Sequence, residues 1–281
     1  MRPHTARPFA ITGILFALGA CNIAQKIVPD PIADTAELPY KIERWQRDIE
    51  LTAAIKSIKV ENLHGNLTLK QTDAASIGIQ GVEQKLGRTP EHARLEVSTV
   101  GGQLQLSIIY ASDAVSGTDA RVDGHLKGRV DLAVFVPKDV ALELRTSHGD
   151  LVVRRLHNPI RAQSGSGRIS VSTSQVSELI SQTGNINYLP SDCAAASGAK
   201  IHTNGKRAVV DVPVYCPLLL DVYAESLILG QKSVALTAGH WQRQFPQEQQ
   251  PQPNLAATPV MQIATPNAAL TLSVMREKNS F

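Results

Sequence analysis

A glycine recurs along this chain at a fixed place between two short segments that alternate apolar and polar residues. The plainest copy contains "AQSGSGRISVSTS" at residues 162–174. The unit reads apolar-x-apolar, four residues, Gly, one residue, apolar-x-apolar. Leu142-x-Leu144 with Gly149 and Leu151-x-Val153 fits it, as does Ile160-x-Ala162 with Gly167 and Ile169-x-Val171. Ser177-x-Leu179 with Gly184 and Ile186-x-Tyr188 departs only at its first place. Ile58-x-Val60 with Gly65, Leu95-x-Val97 with Gly102, and Met261-x-Ile263 with Ala268 extend the set. Glycines 149, 167 and 184 are 18 and 17 residues apart, and Gly65 and Gly102 are 37 apart, close to two periods.

Period-two alternation points the apolar residues of each half to one face of a strand. The glycine between the halves suits a corner with positive φ, which a β-carbon opposes. One unit cannot bury its own apolar stripe, whereas stacked units bury it in a continuous core. A tight hairpin also satisfies the pattern, but the regular spacing over 142–188 favours an all-β solenoid there. The wider spacing before Leu142 points to irregular hairpins on the N-terminal side. Aromatic residues are only 4% of the chain, in keeping with many short strands and turns.

"SIKVENLHGNLTL", "ELRTSHGDLVV" and "AQSGSGRISV" together resemble the bacterial putative-adhesin β-strand repeat family. The resemblance covers residues 48–229, with 261–274 as a closing rung. It implies a toast-rack-like β-helix, often exported or membrane-anchored, with no established partner. The chain departs from the pattern at Asn204-Gly205-Lys206-Arg207, where Arg207 takes an apolar place. The regular stack is therefore expected to end near Leu189.

The N-terminus, "MRPHTARPFAITGILFALGAC", has a basic start and an apolar run from Phe9 to Ala20. The run is shorter than the roughly 20 residues that span a bilayer and has the form of a secretory signal peptide. Leu18-Gly19-Ala20-Cys21 resembles the bacterial lipobox. That resemblance implies cleavage before Cys21, lipidation of its thiol and a membrane anchor. Asn22, in place of Asp, leans towards the outer membrane over the inner. With Cys21 lipidated, Cys193 and Cys216 remain as an even pair in an exported protein, available for a disulfide or left as free thiols. The expected organisation is signal peptide (1–20), tether (21–47), β-strand repeat domain (48–244), Gln/Pro-rich loop (245–259), closing strands (260–274) and tail (275–281).

The formal charge is +3. Arg2 and Arg7 are the only Lys or Arg in the first twenty residues, which hold no Asp or Glu, so 26 basic residues face 25 acidic ones beyond. That balance offers no basic face for nucleic acid. Ser166 between two glycines is not a nucleophile elbow. His64 and His148 each precede a repeat glycine, but the equivalent places hold Gly101, Ser166 and Thr183. A mixed column of this kind is a corner and not a metal site. Asp150 is expected to pair with Arg168 one rung away. No paired carboxylates recur in register for glycoside hydrolysis, although Asp113, Asp119, Asp123 and Asp131 cluster near a glycine-containing loop. The expected function is therefore non-catalytic and cofactor-free: an envelope lipoprotein whose solenoid binds an envelope protein or polysaccharide. The alternatives are a carbohydrate-active β-helix enzyme and a purely structural or stress-linked envelope component.

Overall fold

The computed structural model describes residues 41–85, 93–110, 121–122, 125–126, 129–213, 215–245 and 259–275. The chain enters on β1 (Lys41–Glu50) and forms a two-strand rung from β2 (Ser57–Glu61) and β3 (Leu67–Gln71). It doubles back through β4 (Ser76–Lys85), β5 (Ala93–Val100), β6 (Gln103–Tyr110), a small ribbon of β7 (Arg121–Val122) and β8 (His125–Leu126), and β9 (Arg129–Val136). Regular rungs follow. They are β10 (Ala141–Thr146) with β11 (Leu151–Leu156), β12 (Ile160–Ser164) with β13 (Ile169–Thr173), and β14 (Ser177–Ser181) with β15 (Ile186–Pro190). After the short helix α1 (Cys193–Ala196) come β16 (Lys200–Thr203) and β17 (Arg207–Pro213). The long β18 (Leu218–Leu229), β19 (Lys232–Val234), β20 (His240–Phe245) and β21 (Val260–Met275) complete the fold.

The strands make two ladders that share a core. The first face runs β5-β6-β2-β10-β12-β14-β16-β21-β18-β20. The second runs β1-β4-β9-β3-β11-β13-β15-β17-β21-β18-β19. Pairing is parallel from β6 to β18 on the first face and from β9 to β18 on the second; antiparallel strands cover both ends. Every other residue points inward. Leu142 and Leu144 stack under Ile160 and Ala162, and Leu151 and Val153 under Ile169 and Val171, all within one buried cluster. The fold is an open all-β solenoid, as the period predicts.

Of the five expected corner glycines, Gly65, Gly149, Gly167 and Gly184 stand at ladder corners, and only the first two have the expected positive φ. Gly65 and Gly149 have φ of +119° and +139°, while Gly167, Gly184 and Gly205 lie outside the left-handed region. What they share is close approach. A β-carbon would fall 2.0 Å from the Val130 carbonyl oxygen at Gly65, 2.0 Å from the Gly65 oxygen at Gly149, and 1.7 Å from the Gly149 oxygen at Gly167. The series continues at 1.9 Å from Gly167 at Gly184 and 2.1 Å from Gly184 at Gly205. The corners form a ladder of stacked peptides with no room for a side chain.

Several boundaries shift. The tether does not reach residue 47, because Lys41–Glu50 pairs with β4 over its whole length. Gly102 is not a ladder corner: it sits at φ +79° in the β5–β6 hairpin turn, where Val100 opposes Gln103. The stack does not end at Leu189, since β16 and β17 pair in parallel with β14 and β15. The corner after Gly205 is one residue longer than the others, so Ala208, not Arg207, takes the inward place opposite Ile186. The strands at 260–274 do not close an end. β21 is inserted between β16/β17 and β18. The segment expected as a Gln/Pro loop lies largely outside the described residues, as does the tail beyond Met275.

Cys193 and Cys216 are joined as a disulfide with Cα atoms 5.4 Å apart, clamping α1 to the approach of β18 across the β16/β17 rung. Closing a loop of 23 residues' separation is worth about 3 kcal/mol in the chain-entropy model. Replacing both cysteines with Ala should lower unfolding free energy by about that amount in urea titrations. The glycine ladder gives a sharper test. Gly167→Ala should cost at least about 3 kcal/mol because it pushes against fixed backbone. Gly101→Ala, at φ +57° with open space around it, should cost only about 1–2 kcal/mol. Equal losses in paired urea melts would refute the steric account.

Candidate functional site

Two features single out the first face. The first is charge. Lys59, Glu143, Arg161, Glu178 and Lys200 stand side by side on successive strands, alternating in sign. The row continues through Gln262 and Asp221. The corresponding outward row of the second face is Thr68, Val152, Ser170, Asn187, Val209 and Thr271, all uncharged. Arg161 and Glu178 pair at 3.2 Å while largely exposed, so the ion pair is worth under about 1 kcal/mol and its main effect is to order the surface.

The second feature is relief. A groove of about 780 Å³ runs where the first face meets the corners, lined by Arg145, Gln163 and Ile180 from the strands and by Ser147, His148, Ser166 and Thr183 from the corners. That volume lies within the usual range for ligand sites, roughly 300–1,000 Å³. A smaller cleft of about 210 Å³ continues from Ile180 across Lys200, His202, Gln262 and Ala264. Both sit on a rigid ladder in place of a loop, which fixes the spacing of their polar groups.

Two polar columns build the corner wall. Asn62, Thr146, Ser164, Ser181, Thr203 and Thr265 occupy the last inward place before each turn, and all are buried. Ser164 Oγ donates to the Gly167 carbonyl at 3.0 Å, Ser181 Oγ accepts from Gly184 N–H at 2.9 Å, and Thr203 Oγ1 donates to the Gly184 carbonyl at 2.7 Å. These hydroxyls satisfy backbone groups that the turn removes from the ladder. The second column follows the glycines and is extended one step by Asp131, which follows Val130. Asp131 Oδ1 accepts from Asn66 N–H at 2.7 Å, Asn66 Oδ1 from Asp150 N–H at 2.9 Å, and Asp150 Oδ1 from Arg168 N–H at 3.0 Å. Asn185 Oδ1 likewise accepts from Arg207 N–H at 3.0 Å. The expected Asp150–Arg168 ion pair is present at 2.8 Å.

His64 and His148 stack with ring centroids 5.4 Å apart, and Tyr110 meets His64 edge-on at 5.2 Å. Asn62 Nδ2 donates to the Val130 carbonyl at 2.7 Å, and the Tyr110 hydroxyl lies against Asn62 Oδ1 and the His64 carbonyl oxygen. His64 is only 6% exposed and neither of its ring nitrogens has a hydrogen-bond partner among the described residues. Burial, and then the neighbouring His148, lower its pKa below the usual value. Among the described residues no three His, Cys, Asp or Glu side chains gather as a metal site. Asp131 is engaged by Arg129 at 2.6 and 2.9 Å, while Asp113, Asp119 and Asp123 lie outside the described residues, as does Cys21.

No family model and no curated protein matches the chain. Among solved structures, it is similar to a putative cell adhesion protein from Clostridium sporogenes ATCC 15579, at a TM-score of 0.46 and 8% identity. The likeness covers 84% of this chain and 100% of that one. It is also similar to a putative adhesin from Bacteroides fragilis NCTC 9343, at a TM-score of 0.29 and 11% identity over 83% of this chain and 97% of that one.

The lowered pKa of His64 has a consequence for pH. The folded protein binds this proton less readily than the unfolded chain, so the unfolded state takes it up first as pH falls. Stability is held above about pH 6.5 and declines below it. The urea midpoint should drop between about pH 7 and pH 5 by more in the parent than in His64→Phe; equal drops would exclude His64 as the cause.

Proposed function

We propose that the protein is a lipid-anchored component of a bacterial envelope, held in the membrane through Cys21, that binds an extended envelope partner along its first face. The observation that carries the reading is the asymmetry of the two faces. On the first face a row of alternating charge runs beside a groove on a rigid ladder, whereas the corresponding outward row of the second face, from Thr68 to Thr271, is uncharged. A solenoid with regularly spaced polar groups suits a long partner with its own repeat. The described lining of the main groove contains no Asp or Glu, which favours binding over glycoside hydrolysis, a reaction that uses a carboxyl pair. The lipobox-like Leu18-Gly19-Ala20-Cys21 supports the anchor, and Asn22 supports the outer membrane.

Retention on envelopes isolated from the producing cells tests the binding surface. Arg145→Glu combined with Gln163→Glu should lower retention by about tenfold or more, the equivalent of roughly 1.4 kcal/mol. Ser170→Glu on the second face should leave it unchanged. Equal retention of all three proteins would exclude the first face. For the anchor, palmitate should label the parent and not Cys21→Ala, and the variant should move to the soluble fraction.

A further inference from the structure

The far end of the first face holds a slot that the charge row does not explain. On β20, β18, β21 and β16, four outward residues stand in register: His240, Tyr223, Ala264 and His202. Neighbouring strands are about 4.8 Å apart, so Tyr223 and His202 flank a gap of roughly 10 Å with only the Ala264 methyl as its floor. The 210 Å³ cleft lies beside that gap, over β14, β16 and β21, and shares His202 and Ala264 with it. A gap of roughly 10 Å between two ring-bearing strands holds a single ring-sized unit.

The orientation of Tyr223 gives the slot its character. Tyr223 is 50% exposed, and its ring stacks on His240 with centroids 4.4 Å apart and planes 19° apart. His240 lies on the β20 side, so the free face of Tyr223 is turned towards β21 and over Ala264. The stack is fixed from below. His240 Nε2 and Asp221 Oδ1 are 2.7 Å apart, and Gln242 Nε2 donates to the same oxygen at 3.0 Å. Side-chain entropy is thereby spent before a ligand arrives.

A parallel row of hydrogen-bonding groups borders the slot: Glu178, Lys200, Gln262 and Asp221. It offers donors and acceptors in alternation, and its two carboxylates against one ammonium disfavour a phosphate or a polyanion. A flat apolar side chain would fill the stacking surface and leave this row unused. A ring with one face of C–H groups and hydroxyls around its edge uses both. We infer that the slot over Ala264 binds one hexopyranose unit of an envelope glycan, stacked on Tyr223 and hydrogen-bonded along Lys200, Gln262 and Asp221. This rests on the reading of the first face as a binding surface and names the chemistry of one end of it.

Saturation-transfer NMR on the full-length protein tests the assignment, with methyl β-glucoside, methyl β-galactoside and methyl N-acetyl-β-glucosaminide as probes and indole as a planar control. At least one glycoside should receive saturation. Tyr223→Ala, which removes the platform, and Ala264→Leu, which fills the slot from a solvent-facing strand position, should each weaken it by about tenfold. Ser170→Leu on the second face should not. The assignment is overturned if no glycoside responds, if Ala264→Leu binds like the parent, or if indole alone responds. In each of those cases, envelope retention that still depends on Arg145 and Gln163 would leave the binding-surface reading intact.

Discussion

Everything in this fold depends on how closely one corner lies on the next. At the tightest step, from Gly149 to Gly167, the carbonyl oxygen sits where a β-carbon would be, at 1.7 Å. A side chain there pushes two peptides apart, and the whole ladder above it moves. The constraint explains why glycine recurs where φ is positive and also where it is not. It also explains the hydroxyl column. Peptides packed this tightly cannot turn their polar groups to water, so Ser164, Ser181 and Thr203 reach back to bond them. Ala268 stands at the equivalent place in β21 and is buried, with Thr265 Oγ1 donating to its carbonyl at 3.4 Å.

Close stacking at one corner fixes register along both faces. Once Gly167 lies on Gly149, Ile160 must meet Leu142 and Ile169 must meet Leu151, and the inward and outward sets cannot exchange. Register on the inside is therefore also register on the outside. Glu143, Arg161, Glu178 and Lys200 form a row because the corners beneath them are aligned, and no loop positions them. A binding face built this way inherits the rigidity of the core.

The repeat was legible because its signals are local. Alternation in "LELRTSHGDLVV" and "IRAQSGSGRISV" marks strands and their inward residues, and the glycine marks the corner. The hydroxyl three residues before Gly149, Gly167 and Gly184 was equally visible as Thr146, Ser164 and Ser181, and its regularity is a usable signal. Spatial order was not legible. Leu95-x-Val97 with Gly102 matches the template as well as a true rung does, yet a hairpin satisfies the same alternation. Nothing local places β21 inside the stack, since its neighbours β17 and β18 are consecutive in the chain. The one-residue extension after Gly205 hid another rung, because it moved Arg207 into an expected apolar place. The slot at Tyr223 depends on pairing across four strands from three chain segments, which no periodicity records.

The two displaced segments serve the same physical need. A parallel ladder ends in rows of unpaired N–H and C=O groups that template further strands. At one end the chain returns after β3 through β4 and β5 to β6 and β9, and the antiparallel β5 and β4 cover β6 and β9. Outermost on the second face is β1, whose sequence KIERWQRDIE carries charge at most positions. At the other end β21 inserts, and β18 is covered by β19 and β20. Charged or short antiparallel edges oppose sheet extension by a second copy. The cost is long-range pairing that closes only after intervening rungs exist, which slows folding. Covering β18 with β20 sets His240 beside Tyr223, and inserting β21 sets Ala264 between Tyr223 and His202. The slot is thus a product of non-local assembly, built where strands distant in the chain are laid side by side.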